Sequence, residues 1–209
     1  MRNQKGRVLV ICAPSGTGKT TLAKRLMDEF PKLNYSVSCT TREPRPGEIH
    51  GEDYLFLDKE EFNRRILNNE FIEWAEVHGN NYGTLRSTLE STLNKGEDLL
   101  FDIDVQGAAQ MRLNLPGKCT FVFIVPPSIE ALEQRLLARG SESEETIKRR
   151  MANARGEIAN AHWFDYIIVN EQLEEAYSHL RAAYLASGFS PSHRTALINS
   201  LLVKYEHRI

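Results

Sequence analysis

A short segment near the start of the chain has the composition of a phosphate-binding loop. Gly16 and Gly18 permit a backbone whose N–H groups point inward and let a phosphate approach closely. Lys19 would bridge the β- and γ-phosphates of a nucleotide, and the Thr20 hydroxyl would bind Mg²⁺. Ala13 replaces the first glycine of the GxxxxGK[ST] pattern, which is tolerated where φ is negative. This phosphate loop consists of Ala13, Pro14, Ser15, Gly16, Thr17, Gly18, Lys19 and Thr20.

Arginine dominates the basic residues of the chain. Of the 26 Lys and Arg residues, 17 are Arg and 9 are Lys. A guanidinium group can bind phosphate through two parallel hydrogen bonds, so the positions of the arginines matter more than their number. Arg42 and Arg45 lie in a segment where two prolines disfavour helix. Both side chains could converge on one phosphate, to which Tyr54 and Tyr82 could add hydroxyl donors.

Composition and charge exclude several classes of protein. The chain has 209 residues, of which 26% are charged and 41% hydrophobic, as in ordinary globular proteins. A net charge of −2 argues against a nucleic-acid partner. No apolar run approaches the roughly 20 residues of a membrane helix, so no membrane partner is expected. The three cysteines form no CxxC pair and the histidines are scattered, which argues against disulfides and zinc and favours a reducing cytoplasm.

Apolar runs and helical segments alternate along the chain and would position these residues. The runs predict strands at 7–12, 99–103, 120–125 and 166–169, with helices at 19–29, 105–113, 128–138 and 172–186. Continuous apolar strands that alternate with helices are typical of a parallel sheet covered on both faces. We therefore predict an α/β fold, with a phosphate-loop NTPase core whose parallel sheet is wrapped by helices.

Three further stretches do not follow this alternation. Residues 35–95 contain a Pro/Arg loop and short strand-like pieces, which predicts an inserted α+β lobe. Residues 128–160 are helical in pattern and rich in Arg and Glu, and Ser141 with Glu144 resembles a helix-capping box. Residues 193–205 place leucines on one helical face, which predicts a terminal helix packed on the core or on a neighbouring subunit.

Longer motifs narrow the class of nucleotide-binding protein. A GTPase would carry an Asn/Thr-Lys-x-Asp motif after a strand, and the nearest string, at 94–97, lacks the Asp and precedes a strand. Six segments instead resemble the guanylate kinase family in order and spacing: 38–48, 51–54, 71–75, 81–84, 102–107 and 168–170. The resemblance implies a core, a GMP-binding lobe and a helical lid. The implied reaction transfers the γ-phosphoryl of Mg-ATP to GMP, and to dGMP as a second acceptor.

The resemblance also assigns the residues that recognise GMP. It implies that Glu73, helped by Asp104, faces the N1–H and N2–H₂ donors of guanine, while Ser38 and Thr84 face O6. Adenine presents an acceptor at N1, which a carboxylate would repel. The implied GMP-binding set is Ser38, Arg42, Arg45, Tyr54, Glu73, Tyr82, Thr84 and Asp104.

Catalysis and ATP binding are assigned in the same way. Asp102 ends an apolar strand and resembles an acid that joins Thr20 in orienting Mg²⁺, partly through water. Asn170 resembles a contact on the adenine side of ATP. The transferred phosphoryl group would be stabilised by Lys19 and by the lid residues Arg135, Arg139 and Arg150.

The implied organisation leaves two alternatives open. The core would comprise 1–36, 97–127 and 161–209, the GMP-binding lobe 37–96 and the lid 128–160. A related kinase for a phosphorylated sugar would not need the residues that read guanine. A non-catalytic binding module of the same family would usually lack the phosphate-loop lysine. The expected partners are ATP and GMP, with a homo-oligomer possible.

Overall fold

The computed structural model describes residues 5–77, 79–138 and 143–206, with side chains described as far as residue 202. Its strands are β1 (Val8–Cys12), β2 (Leu33–Tyr35), β3 (Ser38–Thr40), β4 (Tyr54–Phe56), β5 (Phe71–Val77), β6 (Asn80–Leu85), β7 (Asp98–Asp102), β8 (Cys119–Val125) and β9 (Tyr166–Val169). Its helices are α1 (Lys19–Glu29), α2 (Lys59–Leu67), α3 (Arg86–Asn94), α4 (Val105–Asn114), α5 (Ile129–Leu137), α6 (Glu144–Ala159), α7 (Leu173–Ser187) and α8 (Pro191–Glu206).

The central sheet is parallel throughout, with strand order β2-β7-β1-β8-β9. All of β1 is buried, because its side chains alternate between two apolar layers. Leu9 and Ile11 pack in one layer with residues of α1 and α7, and Val10 packs in the other with residues of α3 and α4. The predicted α/β fold with a helix-covered parallel sheet is confirmed.

The register of the sheet brings its chemically active ends together. Ile11 of β1 pairs with Asp102 of β7, so the phosphate loop begins beside the end of β7. Strand β2 was not predicted from the sequence. It has three residues, of which only Leu33 is buried, so it carries no extended apolar run.

A second, mixed sheet has the order β4-β3-β6-β5 and forms one wall of the cleft. Its apolar face packs Cys39, Phe71 and Leu85 against Phe62 of α2. Helix α2 begins where the Asp58 side chain accepts a hydrogen bond from the backbone N–H of Glu61. The α+β character predicted for this part of the chain is present, and α3 leads back to the central sheet.

Helices α5 and α6 pack against each other beside the phosphate loop. They pack through Leu132, Leu136, Ile147 and Ala154. The predicted capping residue Ser141 lies outside the described residues. The structure begins α6 at Glu144, and the side chain that accepts from the first turn belongs to the preceding serine.

The terminal helix α8 does not bury its apolar face on the core. Leu197, Ile198, Leu201 and Leu202 are all exposed, so the predicted packing on the core is wrong for these side chains. Packing on a neighbouring subunit stays a prediction. Across the ranges that the structure describes, no helix has the length and apolar character needed to cross a membrane.

Candidate active site

The phosphate loop folds as a tight turn between β1 and α1. Gly16 and Gly18 have φ values of 94° and 89°, which only glycine adopts without strain. Thr17 is fully buried, and its hydroxyl donates to the Pro14 carbonyl over 2.8 Å. The loop is therefore shaped in part by its own hydrogen bonds.

Two side chains from outside the loop brace it. The Asn170 amide, at the end of β9, donates to the Thr17 carbonyl over 2.6 Å. A methyl group at Gly18 would lie 2.5 Å from that amide nitrogen, so only glycine leaves room for the brace. Arg135 of α5 donates in turn to the Asn170 carbonyl over 2.8 Å. This second link ties α5 to the end of β9 and so to the loop.

Lys19 is held at the mouth of the loop by an ion pair with Asp102. Burial acts to lower the pKa of Lys19, but the charge of Asp102 and the hydrogen bond between them outweigh burial and raise it. Tyr35 hydrogen-bonds Asp102 from β2, and burial together with that carboxylate raises the pKa of the Tyr35 hydroxyl. The lysine is therefore charged and already placed beside the expected phosphates.

One cavity of about 500 Å³ joins the phosphate loop to the second sheet. Its size falls in the range of small-molecule sites. The walls include several of the predicted GMP-binding residues and both predicted magnesium-site residues, namely Ser38, Tyr54, Glu73, Tyr82, Asp104, Thr20 and Asp102. Thr84, Arg42 and Arg45 do not line the cavity.

A polar pocket in this cavity, here called the base pocket, is formed by a carboxylate and a hydroxyl group that line it and by a second hydroxyl group behind them. Glu73 is 4% exposed and pairs with Thr84 across β5 and β6, to which it is hydrogen-bonded. The Thr84 hydroxyl lies 3.2 Å from the Ser38 hydroxyl. Burial, together with the charge of Asp104, raises the pKa of Glu73 to about 7 against the opposing hydrogen bonds from Thr84. Glu73 is therefore poised to ionise when donors approach it.

The start of α4 forms the floor of the base pocket. The Asp104 side chain caps this helix by accepting from the Gly107 backbone N–H over 2.8 Å. A methyl group at Gly107 would lie 2.7 Å from the Glu73 carboxylate. Glycine at this position therefore lets the helix approach Glu73 closely.

Arg42 lies beside two residues of the cavity wall, Tyr54 and Tyr82, and forms an ion pair with Glu48. Its guanidinium donates to both carboxylate oxygens of Glu48, over 2.8 and 3.0 Å, and hydrogen-bonds Tyr82. Hydrogen bonds from Arg42 and from the Arg45 backbone lower the pKa of Glu48. The Arg42 guanidinium lies 5.4 Å from the ring of Tyr54, while Arg45 is exposed. Glu48 thus holds the place that an anionic ligand could take.

Helix α6 reaches over the phosphate loop with side chains of both charges. Arg150 donates to the Ser15 hydroxyl over 2.7 Å. Glu157 lines the cavity, where burial raises its pKa against the opposing charge of Lys19. Arg139 lies outside the described residues.

Sequence reasoning missed three residues of the site. They are Tyr35, Glu48 and Glu157, which contact or face Asp102, Arg42 and Lys19 respectively. Glu157 follows buried Ala154 by three residues, so helical spacing could have placed it on the inner face of α6. The positions of Tyr35 and Glu48 carry no comparable signal.

The residues at the loop fit a magnesium ion. Thr20 supplies a hydroxyl oxygen and Asp102 a carboxylate, and Mg²⁺ prefers such hard oxygen ligands. In the part of the chain that the structure describes, no group of three or more His, Cys, Asp or Glu residues could hold a metal. A site with so few protein ligands suits Mg²⁺, because this ion keeps several bound waters and also binds substrate phosphates.

A phosphate loop that shares one cavity with a polar base pocket on a second sheet defines a class of nucleotide-binding protein. Such a site can seat two nucleotides with their phosphates facing each other, as in phosphate-loop nucleoside monophosphate kinases. The family model "Guanylate kinase" matches residues 5–187. The chain belongs to the guanylate kinase family, which confirms the resemblance.

Relatives in several bacteria support the assignment. The chain is 57% identical to the guanylate kinase of Oleidesulfovibrio alaskensis, over 97% of this chain and 98% of that protein. It is 55% identical to the guanylate kinase of Nitratidesulfovibrio vulgaris, over 96% and 97%. A crystal structure of guanylate kinase from Anaplasma phagocytophilum superposes with a TM-score of 0.69 at 37% identity, covering 88% of this chain and 86% of that one.

Proposed function

We propose that this protein transfers the γ-phosphoryl group of ATP to GMP, giving ADP and GDP, and accepts dGMP as well. The carrying observation is the buried Glu73 carboxylate, which shares one cavity with the phosphate loop. A phosphate loop alone would suit many reactions. A carboxylate beside the Thr84 and Ser38 hydroxyls specifies which base the acceptor carries.

The hydrogen-bonding edge of guanine is complementary to the polar groups of the base pocket. Its N1–H and N2–H₂ groups would donate to Glu73, and these donors favour the ionised carboxylate. The guanine O6 atom would accept from the hydroxyl of Thr84 or Ser38, with Asp104 near the floor of the pocket. Adenine would face Glu73 with an acceptor, which leaves the buried carboxylate unpaired.

The phosphate of GMP would displace Glu48 from Arg42. A phosphate dianion carries more charge than a carboxylate and can accept two parallel hydrogen bonds from one guanidinium. Tyr54 and Tyr82 lie beside Arg42 and would donate their hydroxyls, while Arg45 would turn inward from its exposed position. The GMP phosphate would therefore replace the Glu48 carboxylate as the anion bound to Arg42.

On the donor side, Lys19 would leave its ion pair with Asp102 and bind the β- and γ-phosphates of ATP. The charged ammonium group stands at the amino end of α1, where the helix dipole also favours anions. Thr20 and Asp102 would hold Mg²⁺, which neutralises charge on the phosphates when bound. We propose Asn170 as an adenine-side contact, in addition to its brace on Thr17.

The lid arginines would complete the site around the transferred group. Arg150 already reaches Ser15 of the phosphate loop, and Arg135 lies behind it through Asn170. Charge spread over the transferred phosphoryl group is stabilised by such guanidinium groups. Arg139 is proposed for the same role. The attacking GMP oxygen is already anionic, so no general base is needed.

Several broader expectations accompany this proposal. The chain is proposed to move as a core, a GMP-binding lobe and a lid with the boundaries predicted above. A reducing cytoplasm agrees with free Cys12, Cys39 and Cys119. We expect small-molecule partners rather than nucleic acid, and a homo-oligomer stays a prediction.

The test is a panel of acceptors incubated with Mg-ATP. ADP formation is measured with GMP, dGMP, AMP, CMP, UMP and a phosphorylated sugar in turn. We expect ADP with GMP and dGMP only. Turnover with the sugar alone would favour the related sugar kinase, and GMP binding without ADP would favour a non-catalytic module.

A pair of lysine variants tests the donor side. Lys19→Ala should abolish turnover, because Lys19 is the cation that pairs with Asp102 at the mouth of the loop, and no other ion pair to Asp102 is found among the described residues. Lys24→Ala, which removes an exposed lysine from the same helix, is the matched control and should retain full activity. Equal activity in the two variants would contradict the role of Lys19.

A further inference from the structure

A second cavity lies at the opposite end of the central sheet from the phosphate loop. It has a volume of about 470 Å³ and is bounded by the residues that precede β1, β2 and β7 and by the turn between α7 and α8. Strand β1 spans five residues, so the two sites are separated by about 17 Å of strand at ~3.3 Å per residue. The charged residues of its wall are Lys5, Arg7, Lys32, Lys95, Arg194 and Asp98.

The one carboxylate of this wall, that of Asp98, accepts hydrogen bonds from its neighbours through both oxygens. One Asp98 oxygen accepts from the Arg7 Nε over 2.8 Å and from the Tyr184 hydroxyl over 2.6 Å. The other oxygen accepts from the Arg7 backbone N–H over 2.7 Å. Asp98 therefore neutralises Arg7 and leaves four further cations around the cavity.

Those four cations lack partners of opposite charge in the described ranges. The ion pairs found there do not include Lys5, Lys32, Lys95 or Arg194. Glu97 is close in sequence but does not line the cavity, and its carboxylate is contacted by Asn34. Four like charges around one concave surface create a positive potential that attracts anions.

The fold brings these charges together through a close contact of backbone and side chain. A methyl group at Gly188 would lie 2.9 Å from the Arg7 guanidinium, so glycine allows the α7–α8 turn to approach the strand ends. This approach carries Arg194 to the same cavity. Burial lowers the pKa of the nearby His193, and the charges of Arg7 and Arg194 lower it further, as expected in a positive field.

We propose that this cavity binds a phosphate chain, from inorganic triphosphate or a nucleoside triphosphate, independently of the phosphate loop. Lys5, Lys32 and Lys95 are flexible point charges that suit a polyphosphate, and Arg194 adds a planar donor. Because Arg194 belongs to α8, an occupant links the terminal helix to the amino ends of the sheet. This binding step involves no covalent change.

The test uses residue-specific NMR signals, because the phosphate loop binds the same anions. Sodium triphosphate is added without Mg²⁺, and the amide signals of Gly96 and Gly188 report on this cavity while those of Gly16 and Gly18 report on the phosphate loop. We expect saturable shifts at both pairs. The His193 imidazole pKa should rise on binding, because a nearby anion favours its charged form.

Matched double variants separate the two sites. Lys32→Ala with Lys95→Ala should weaken the Gly96 and Gly188 response by at least about tenfold, because it removes two charge-assisted contacts. The response at Gly16 and Gly18 should not change. Lys59→Ala with Lys118→Ala removes the same charge from other exposed positions and should leave both responses intact.

A parallel titration with ATP tests whether the bound phosphate chain comes from inorganic triphosphate or from a nucleoside triphosphate. Equal affinity for ATP and triphosphate assigns recognition to the phosphates alone, and tighter ATP binding adds a contact to the nucleoside. The proposal is overturned if Gly96 and Gly188 show no saturable shift. It is also overturned if the Lys32/Lys95 variant binds at this cavity as tightly as the control.

Discussion

At the scale of single residues, we propose that one buried carboxylate governs which nucleotide is accepted. Glu73 is almost inaccessible to solvent and its pKa is raised to about 7 by burial, which outweighs the hydrogen bond from Thr84. A buried group that finds no partner costs more than a matched hydrogen bond contributes. On this proposal, AMP would be rejected because it leaves the carboxylate unpaired, more than because GMP is attracted.

Replacement of this carboxylate tests that argument. Glu73→Gln keeps the shape of the side chain but removes its charge and one acceptor oxygen. We expect kcat/KM for GMP to fall by about 100-fold and the preference for GMP over AMP to shrink accordingly. Steady-state kinetics with both acceptors measure it. Glu76→Gln, at an exposed position on the same strand, is the control, and an unchanged preference in Glu73→Gln would refute the assignment.

The approach of α4 to Glu73 can be tested at Gly107. In Gly107→Ala the new methyl group would start 2.7 Å from the carboxylate oxygen and displace it. We expect KM for GMP to rise by about tenfold, with KM for ATP unchanged. Gly156→Ala in α6 is the matched control, because among the described residues no atom beyond the adjoining backbone of its own helix and its chain neighbours lies within 4 Å of the added methyl. Equal KM values for GMP in the two variants would contradict the close approach.

Single residues of the site were predictable where they stand in contiguous motifs. Lys19 and Glu73 lie in such motifs, and the structure places both on one cavity. Glu48 was not identified as a partner of Arg42, because a salt bridge across a loop depends on the path of the backbone. Tyr35 was missed for a related reason, since it lies at the end of a three-residue edge strand.

At the scale of elements, the phosphate loop depends on the strand at the far edge of its sheet. The buried Asn170 side chain donates to the Thr17 carbonyl, and the Asn170 carbonyl accepts from Arg135 of α5. The loop, β9 and α5 are therefore connected by two hydrogen bonds. A change in α5 can reach the phosphate loop through this connection.

Removal of the brace should weaken ATP binding. Asn170→Ala leaves the Thr17 carbonyl without its partner, and we expect a loss of about 1–2 kcal/mol in unfolding free energy. KM for ATP should rise by about tenfold because the loop loses its fixed geometry. Denaturant unfolding and steady-state kinetics measure the two effects.

The control for this prediction makes a similar bond elsewhere. The Asn114 amide donates to the Ile72 carbonyl over 2.6 Å, the same distance as the Asn170 brace. Because Asn114 is exposed whereas Asn170 is buried, Asn114→Ala should lower stability by less, and it should leave KM for ATP unchanged. If Asn114→Ala raised KM for ATP as much as Asn170→Ala does, the effect would be general loosening rather than loss of the brace.

Elements were predictable where burial produces long apolar runs. The predicted strand at 166–169 matches β9, and the helix predicted at 19–29 matches α1. Strands β3 and β6 were missed because they carry polar residues of the site, such as Ser38, which lines the cavity, and Thr84, which contacts Ser38 from behind it. The need for a polar binding surface thus removes the hydrophobic pattern that would reveal a strand.

At the scale of the whole molecule, cations gather at both ends of one parallel sheet. Lys19 and Arg150 lie at its carboxyl ends, and Lys32 and Arg194 lie at its amino ends. A net charge of −2 conceals this arrangement, because the total does not say where either sign lies: acidic residues line the first cavity beside Lys19, and Asp98 lines the second beside Arg7. The distribution of charge, rather than its sum, indicates where anions bind.

The buried carboxylate also links the site to the stability of the whole chain. The ordinary pKa of a Glu side chain is 4.5, and burial raises that of Glu73 to about 7 in the folded protein. Between these values the folded state holds a proton that the unfolded state has released. Stability from this group is therefore complete below pH 4.5 and is lost as pH rises through about 7, a loss of about 3 kcal/mol.

Urea unfolding of the nucleotide-free protein from pH 4.5 to pH 8 tests this linkage. The side chain in Glu73→Gln cannot ionise. The difference in unfolding free energy, variant minus wild type, should therefore increase by about 3 kcal/mol across that range. Other titrating groups are common to both proteins and cancel in the difference. GMP should reduce the gain, because its donors favour the ionised Glu73 and bind only the folded state. Parallel curves for the two proteins without nucleotide would show that Glu73 ionises in the folded chain as readily as in the unfolded one.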